Sequence, residues 1–475
     1  MSVMNKGDKL SLPTGKRLWY WVSVMLAIFV VFICIDHWFD MTLTVWHSND
    51  FLDCLFNGKI THFYEHCWNV ANEGGYCGGG FERDAASYSP VVYFFLGILI
   101  LPIYILDKCL GTSSIMLMES WVRLLMVIAT FLTGKVLAKS FSKYSSSNKS
   151  KDILLYVVSS PIFFLSVLIL DQYDIVGALL VLLAFNFYLE DKMYKFAGVI
   201  AVAMGFKFFP LIMFFPLLFM KEKKIGRIAL LSAIAVAPYA LMMFIVKMVD
   251  PGYSVISSTV QSFVGKMGAG DTSAASPSVQ ISLVIVLYCA ICAIAYLVKL
   301  EDKHAYFYWG ARVAFVAYLM FFMLIDDAHE QWFTYLIPFM TLVFFTMKLT
   351  DEFMLMETGF AVMFYIYNAT NRGMVEYVRV SLMAISSGKE IDYTTVDLNF
   401  YNRFFSDLSI PVSLLVGFAV AMVIVVAWDA YQNRKDIRSA IDSEKTINYP
   451  LWFMRLATLL IYVAPLLYMY NKIPG

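Results

Sequence analysis

The chain has 475 residues, 60% of them hydrophobic and 15% charged, and its 36 basic residues balance its 36 acidic ones. With a mean hydropathy of +0.68, it carries more apolar surface than a soluble fold can bury, and lipid is the solvent that accepts such surface. The balanced charge gives no basic signature for nucleic acid, which is not expected as a partner.

Apolar runs long enough to cross about 30 Å of hydrocarbon recur throughout the chain. They lie near 17–35, 88–106, 119–139, 153–170, 173–190, 194–220, 226–248, 277–299, 306–325, 331–348, 353–369, 409–430 and 450–470. The expected fold is all-α, a polytopic transmembrane helical bundle of about 11–13 spans, some broken or re-entrant. The first run reads as a retained span, because it is too long for a signal peptide and no small-residue cleavage site follows it.

Lysine and arginine set the expected orientation. Lys6, Lys9, Lys16 and Arg17 hold the N-terminus, residues 1–16, in the cytoplasm; Lys221, Lys223, Lys224 and Arg227 mark a second inner loop, and Arg434, Lys435 and Arg438 a third. Three polar segments, 36–87, 249–276 and 370–408, then fall outside a multi-pass plasma-membrane protein. The loop with Lys139, Lys143, Lys149 and Lys151 conflicts with this scheme: its charge reads as inner, while counting from the second span places it outside. Either a segment within 107–170 is re-entrant or the charge rule fails there, and Ser159-Ser160-Pro161 favours a broken helix. The run 194–220, with Pro210, Pro216 and a mid-run Lys207, has lysines at both ends and reads as a hairpin open to the cytoplasm. Irregular backbone at membrane depth requires a covering of protein or a wet cavity.

Five groups of residues carry candidate chemistry. Asp36 and Asp40 follow the first span, ahead of an amphipathic stretch, Thr42 to Gly58, that fits an interfacial helix. Asp40 reads as a general base at the level of a lipid headgroup, or as an ordinary helix-end carboxylate. Asp171-Gln172-Tyr173-Asp174 joins two apolar runs, as a polar site or simply a turn. Lys207 is an ionisable group inside an apolar run, where a functional cavity or a partner is the usual explanation. His329-Glu330 begins like a zinc-protease motif, but Phe333 stands where the second ligand would be, which excludes that chemistry. Arg83, Lys266, Arg372, Arg379 and Arg403 are the outer cations able to meet a phosphate, each with a bystander reading beside it.

The seven cysteines show no metal-ligand spacing, and Cys289 and Cys292 sit in an apolar run as bystanders. Cys67 and Cys77 can form a disulfide if their compartment is oxidising. No cofactor is expected, although Asp36, Asp40 and Asp84 could together host a divalent ion. Asn148-Lys149-Ser150 and Asn368-Ala369-Thr370 match the glycosylation acceptor pattern.

Taken in order, the acid after the first span, Tyr88-Ser89-Pro90, Gln172-Tyr173-Asp174 with Gly198, Lys207-Phe208-Phe209-Pro210, and His329-Glu330 with Pro338 resemble the GT-C superfamily of integral-membrane glycosyltransferases. The nearest branch is the mannosyltransferase-like enzymes that use polyprenyl-phosphate sugars. The resemblance covers about residues 17–350, a catalytic core that includes the outer loop 36–87, with 171–220 its most specific part; residues 351–475 match by hydropathy alone. It implies an inverting hexosyl transfer at the outer face, from a lipid-borne sugar to a glycan, lipid or protein acceptor among membrane lipids. Asp40 would be the base with Asp36 as alternate, and Asp171, Gln172, Tyr173, Asp174, Lys207, His329, Glu330, Arg83 and Arg372 would bind substrate. Eukaryotic relatives follow His-Glu with Lys, whereas Gln331 and Trp332 follow here, which leaves the donor open. The rival readings are a transporter or lipid flippase, with which broken helices also agree, and a polymerase or ligase of the O-antigen type.

Overall fold

The computed structural model describes residues 15–34, 39–76, 85–146, 149–253, 283–325, 329–371, 409–443 and 447–461, and every regular element among them is helical. Six helices are long and apolar enough to cross a membrane, seven with one bent pair, so the protein is a multi-pass helical membrane bundle. Asp36, Arg83, Asp84, Arg372 and the cations Lys266, Arg379 and Arg403 lie outside the described residues, as do Cys77 and Asn148.

The bundle has two chemically distinct ends. At the basic end, Lys143 and Lys192 pair with Glu190 at 2.6 and 2.7 Å, Lys221 and Lys303 pair with Asp191 at 2.6 and 3.6 Å, and Arg438 pairs with Asp302 at 3.2 Å. Arg17 and Asp152 form a further pair there. The described part of the loop 139–151 therefore shares one end with Arg17 and the 221–227 cluster, as its charge indicates.

The helices run between this end and the opposite, site-bearing end. α1 (Lys16–Cys34) leaves the basic end and finishes beside Arg123, which donates to the Phe32 carbonyl at 3.2 Å. α5 (Ile115–Phe141) returns. α6 (Ser150–Val158) and α7 (Pro161–Ile169) rise as one span bent by 43°. The bend falls where Ser160 is extended and Pro161 lacks an N–H to continue the ladder. The last six residues of α7, Phe164–Ile169, are wound as a π-helix.

α8 (Asp174–Leu189), α9 (Met193–Met204) and α10 (Pro210–Lys221) run down, up and down. The run 194–220 is thus two helices with both outer ends at the basic end and Lys207 in the break at the apex, the hairpin its flanking lysines call for. α11 (Ile225–Val249) rises, α12 (Leu283–Leu297) descends and α13 (Lys303–Leu324) rises. After a 3-10 turn at Glu330–Tyr335, α14 (Leu336–Thr346) descends and α15 (Thr350–Asn371) rises. α16 (Ser409–Asn433) descends, α17 (Ile437–Asp442) is a short turn of helix, and α18 (Tyr449–Ala457) starts back up. One buried apolar cluster extends from Tyr20 to Leu459, so the C-terminal helices share the core of the rest.

Three further helices follow α1 and begin among site-end elements. α2 (Phe39–Phe56) and α3 (Phe63–Asn72) form the first loop, whose helical start agrees with the amphipathic pattern. α4 (Pro90–Leu110) covers the run expected as the second span. Its start is held by Ser89, which bonds the Gly205 carbonyl, and its far end by Lys108, 2.7 Å from Asp53 of α2. Both ends therefore lie among site-end elements.

Asn368 is the acceptor position of the second glycosylation-pattern match. It is fully buried and donates to the Phe364 carbonyl at 2.7 Å inside α15, so it cannot accept a glycan.

At the basic end, hydrogen bonds from Lys143 and then Lys192 hold the Glu190 carboxyl down, from the usual 4.5 to about 2. A depressed carboxyl contributes stability that is complete above its unfolded value and lost as pH falls through the folded one. The thermal-stability gap between the wild type and Glu190→Gln should therefore stay constant above pH 4.5 and close toward pH 2.

Candidate functional site

Asp40 stands in the first turn of α2, where the free N–H groups of a helix favour a carboxylate. Two neutral donors hold it. The Tyr88 hydroxyl donates to Oδ2 at 2.9 Å and Oδ1 at 3.1 Å, and Gln172 Nε2 donates to Oδ2 at 2.9 Å. Among the described residues Asp40 has no cation partner, and it is half-buried.

Tyr88 is itself fixed from several sides. Its N–H donates to the Tyr93 hydroxyl at 2.9 Å, and its carbonyl accepts from the Tyr64 hydroxyl at 2.8 Å. Its ring meets Tyr173 edge-on at 5.7 Å. Tyr64 is anchored in turn: Asp250, at the end of α11, accepts the N–H groups of Tyr64 and Glu65 at 2.7 and 3.1 Å. Gly252 passes so close to α3 that an added Cβ would lie 2.3 Å from Glu65 N, so only glycine fits there. The end of α11 thus braces the helix that braces Tyr88.

The segment 171–174 enters from α7. Asp171 adopts φ 51, a left-handed conformation that costs a non-glycine residue about 1–3 kcal/mol unless its surroundings hold it. Arg123 holds it: Nε lies 2.6 Å from Oδ1, and the same guanidinium donates to the Leu168 and Phe32 carbonyls. The turn so fixed sends Gln172 to Asp40 and starts α8 at Asp174. Asp174 is fully buried and pairs with Lys207 at 2.8 Å. The Lys207 ammonium also lies over the rings of Tyr173 and Tyr88, at 5.4 and 5.8 Å. The break between α9 and α10 therefore exists around a cation that has to reach the first turn of α8.

Asp40, Gln172, Tyr173, Asp174 and Lys207 come together as the sequence reading expects. Asp171 is their neighbour in the chain, but its carboxylate is committed to Arg123. Glu330 is buried nearby, its carbonyl accepting from Ser166 at 3.0 Å. His329 is exposed and rests on Trp332 at 4.9 Å between ring centres. The sequence reading names Tyr88 only as part of a motif and passes over Arg123, Tyr64 and Asp250. Arginine inside the apolar run 119–139 is the signal that would have found Arg123.

The arrangement has one free anionic group and two neutralised ones. Arg123–Asp171 and Lys207–Asp174 are buried ion pairs, which leaves the Asp40 charge balanced only by neutral donors. Four buried polar atoms, Gln172 Oε1, Tyr173 Oη, Asp174 Oδ1 and Tyr335 Oη, have no hydrogen-bond partner among the described residues. The same holds for other buried atoms across the bundle, among them Tyr20 Oη, Ser160 Oγ and Tyr188 Oη. Among the described residues no three His, Cys, Asp or Glu side chains are grouped to hold a metal ion.

The site sits high in the bundle. α8 spans 16 residues from Asp174 to the basic end, about 24 Å of helix. Fold and site together define a polytopic helical membrane protein with a carboxylate-centred polar site near one surface. No protein-family model, curated protein or solved structure matches the chain.

Proposed function

We propose that the protein is an inverting glycosyltransferase of the GT-C type, moving a sugar from a polyprenyl-phosphate donor to a glycan, lipid or protein hydroxyl at the face of the membrane that carries Asp40. The basic end faces the cytoplasm in this reading, by the excess of lysine and arginine there, and the site faces outward. The observation that carries it is the state of Asp40: a carboxylate oriented by Tyr88 and Gln172, with no cation partner among the described residues, beside two other aspartates locked in ion pairs.

The chemistry follows from that placement. Asp40 takes the proton of the acceptor hydroxyl as its oxygen bonds to the anomeric carbon. The bond from that carbon to the lipid phosphate breaks, and the phosphate leaves as an anion without a general acid. Lys207 uses one of its three ammonium donors on Asp174 and has others for a phosphate oxygen, where charge develops.

The test is to incubate the purified protein with a panel of polyprenyl-phosphate sugars and follow the lipid and sugar products by mass spectrometry. Transfer, or slow hydrolysis where no acceptor is present, is the expected result. Binding of a donor with no turnover across the panel would instead favour a transporter or flippase.

A further inference from the structure

We propose that α4, although long and apolar enough to span, does not cross the membrane but lies within the leaflet on the side of Asp40, so that the turn after it faces the same compartment as the site.

Hydropathy alone gives the opposite reading. α4 has 21 residues, about 31 Å of helix, and qualifies as a span by length and composition. Its contacts contradict a crossing. Near its start, Gly205 lies against Val91 and Phe206 against Phe95, both neighbours of Lys207. Midway, the Leu99 carbonyl accepts from Trp121 Nε1 at 3.0 Å, and Trp121 lies in the first turns of α5. Near its end, Asp53 of α2 takes both Lys108 at 2.7 Å and the Tyr104 hydroxyl at 2.6 Å.

The length of α5 excludes the alternative. From Arg123, which is level with Asp171 and Phe32, to Phe141 the helix rises about 27 Å and delivers Lys143 to Glu190 at the basic end. Ile115 therefore starts about 12 Å beyond Arg123 on the site side. The connection from Leu110 to Ile115 is a tight turn with no length to spare. Gly111 closes α4 at φ 64, and the Asp107 carboxylate takes the Thr112 hydroxyl at 2.8 Å and the Ser114 N–H at 2.7 Å. A vertical α4 would put this turn at the basic end and leave the end of α5 far outside the bundle.

The surface of the helix fits a lipid environment. Phe94, Ile98, Ile105, Leu106 and Leu110 are exposed, while Asp107 and Lys108 mark the end that meets water. α4, with Leu55 and Phe56 at the end of α2, then forms an apolar shelf in contact with acyl chains of that leaflet.

The experiment places single cysteines in the otherwise unaltered full chain, in sealed membrane vesicles of known orientation, and reads labelling by a membrane-impermeant maleimide residue by residue with peptide mass spectrometry. Ser113→Cys lies in the exposed turn after α4; Glu73→Cys reports the site end and Lys192→Cys the basic end, and both of those positions are exposed. Ser113→Cys should label from the same face as Glu73→Cys. Labelling from the Lys192→Cys face, or no labelling from the Glu73→Cys face, overturns the proposal. Since no turnover is measured, the result is independent of whether the protein is a transferase.

Discussion

Asp40→Asn should abolish most sugar transfer, lowering the rate by about 10²–10⁴-fold, while the protein folds and binds its donor lipid nearly as before. An amide has the shape of the carboxylate and can still accept from Tyr88 and Gln172, which donate to it in the native protein. It cannot take a proton. If Asp40 served only to complement the first turn of α2, the same change would cost about 0.3–1 kcal/mol of stability and leave the rate unchanged. Turnover at saturating donor, set beside donor binding, separates the two. Asp36→Asn is the necessary comparison, because two carboxylates four residues apart can exchange roles; a dead Asp36→Asn with an active Asp40→Asn would transfer the assignment. Tyr88→Phe should fall between the variants, since it removes one of the two donors that aim the base and keeps the ring beside Tyr173.

The second large effect is expected far from Asp40. Arg455 of α18 reaches into the broken span, donating to the Tyr156 carbonyl at 3.1 Å and the Ser159 hydroxyl at 2.9 Å, and pairs with Glu357 of α15. Glu357 also accepts from the Tyr156 hydroxyl at 2.5 Å. The Tyr156 carbonyl, near where α6 stops, is thereby satisfied by a cation delivered from the C-terminal helix. Arg455→Met leaves Glu357 buried without its counter-ion and should cost about 3–5 kcal/mol, seen as a large fall in thermal stability in detergent. Arg455→Met with Glu357→Met should recover much of that loss, because replacing both partners of a buried pair removes the uncompensated charge. A double variant no more stable than the single one would show that the arrangement serves the helix break more than the ion pair.

Much of the site is legible in the sequence because lipid penalises polar groups so strongly. An acid after the first span, four polar residues between two apolar runs and a lysine inside a third run each stand out, and the fold brings Asp40, Gln172, Asp174 and Lys207 into contact. What the sequence withholds is pairing. Asp171 and Asp174 look equivalent on the page, yet one belongs to Arg123 and the other to Lys207, partners 48 and 33 positions away along the chain. Arg312 with Asp429, and Arg455 with Glu357, are likewise invisible as pairs, because local pattern carries no information about which distant helix will pack alongside. Direction is the other gap. An apolar run of 21 residues reads the same whether it stands upright or lies along the surface, and for α4 only its tethers distinguish the two.

The lengths of α1 and α8 set one more property of the protein. Nineteen and sixteen residues carry the chain from the basic end to the level of the site, roughly 28 and 24 Å of rise against a hydrocarbon layer of about 30 Å. The carboxylate is therefore positioned by rigid rods measured from the opposite surface, while the headgroups it would meet in the proposed transferase are positioned by the lipids. A thicker bilayer submerges Asp40 below its phosphate layer and a thinner one lifts it clear, so acyl-chain length becomes a control on the site that no residue in it supplies.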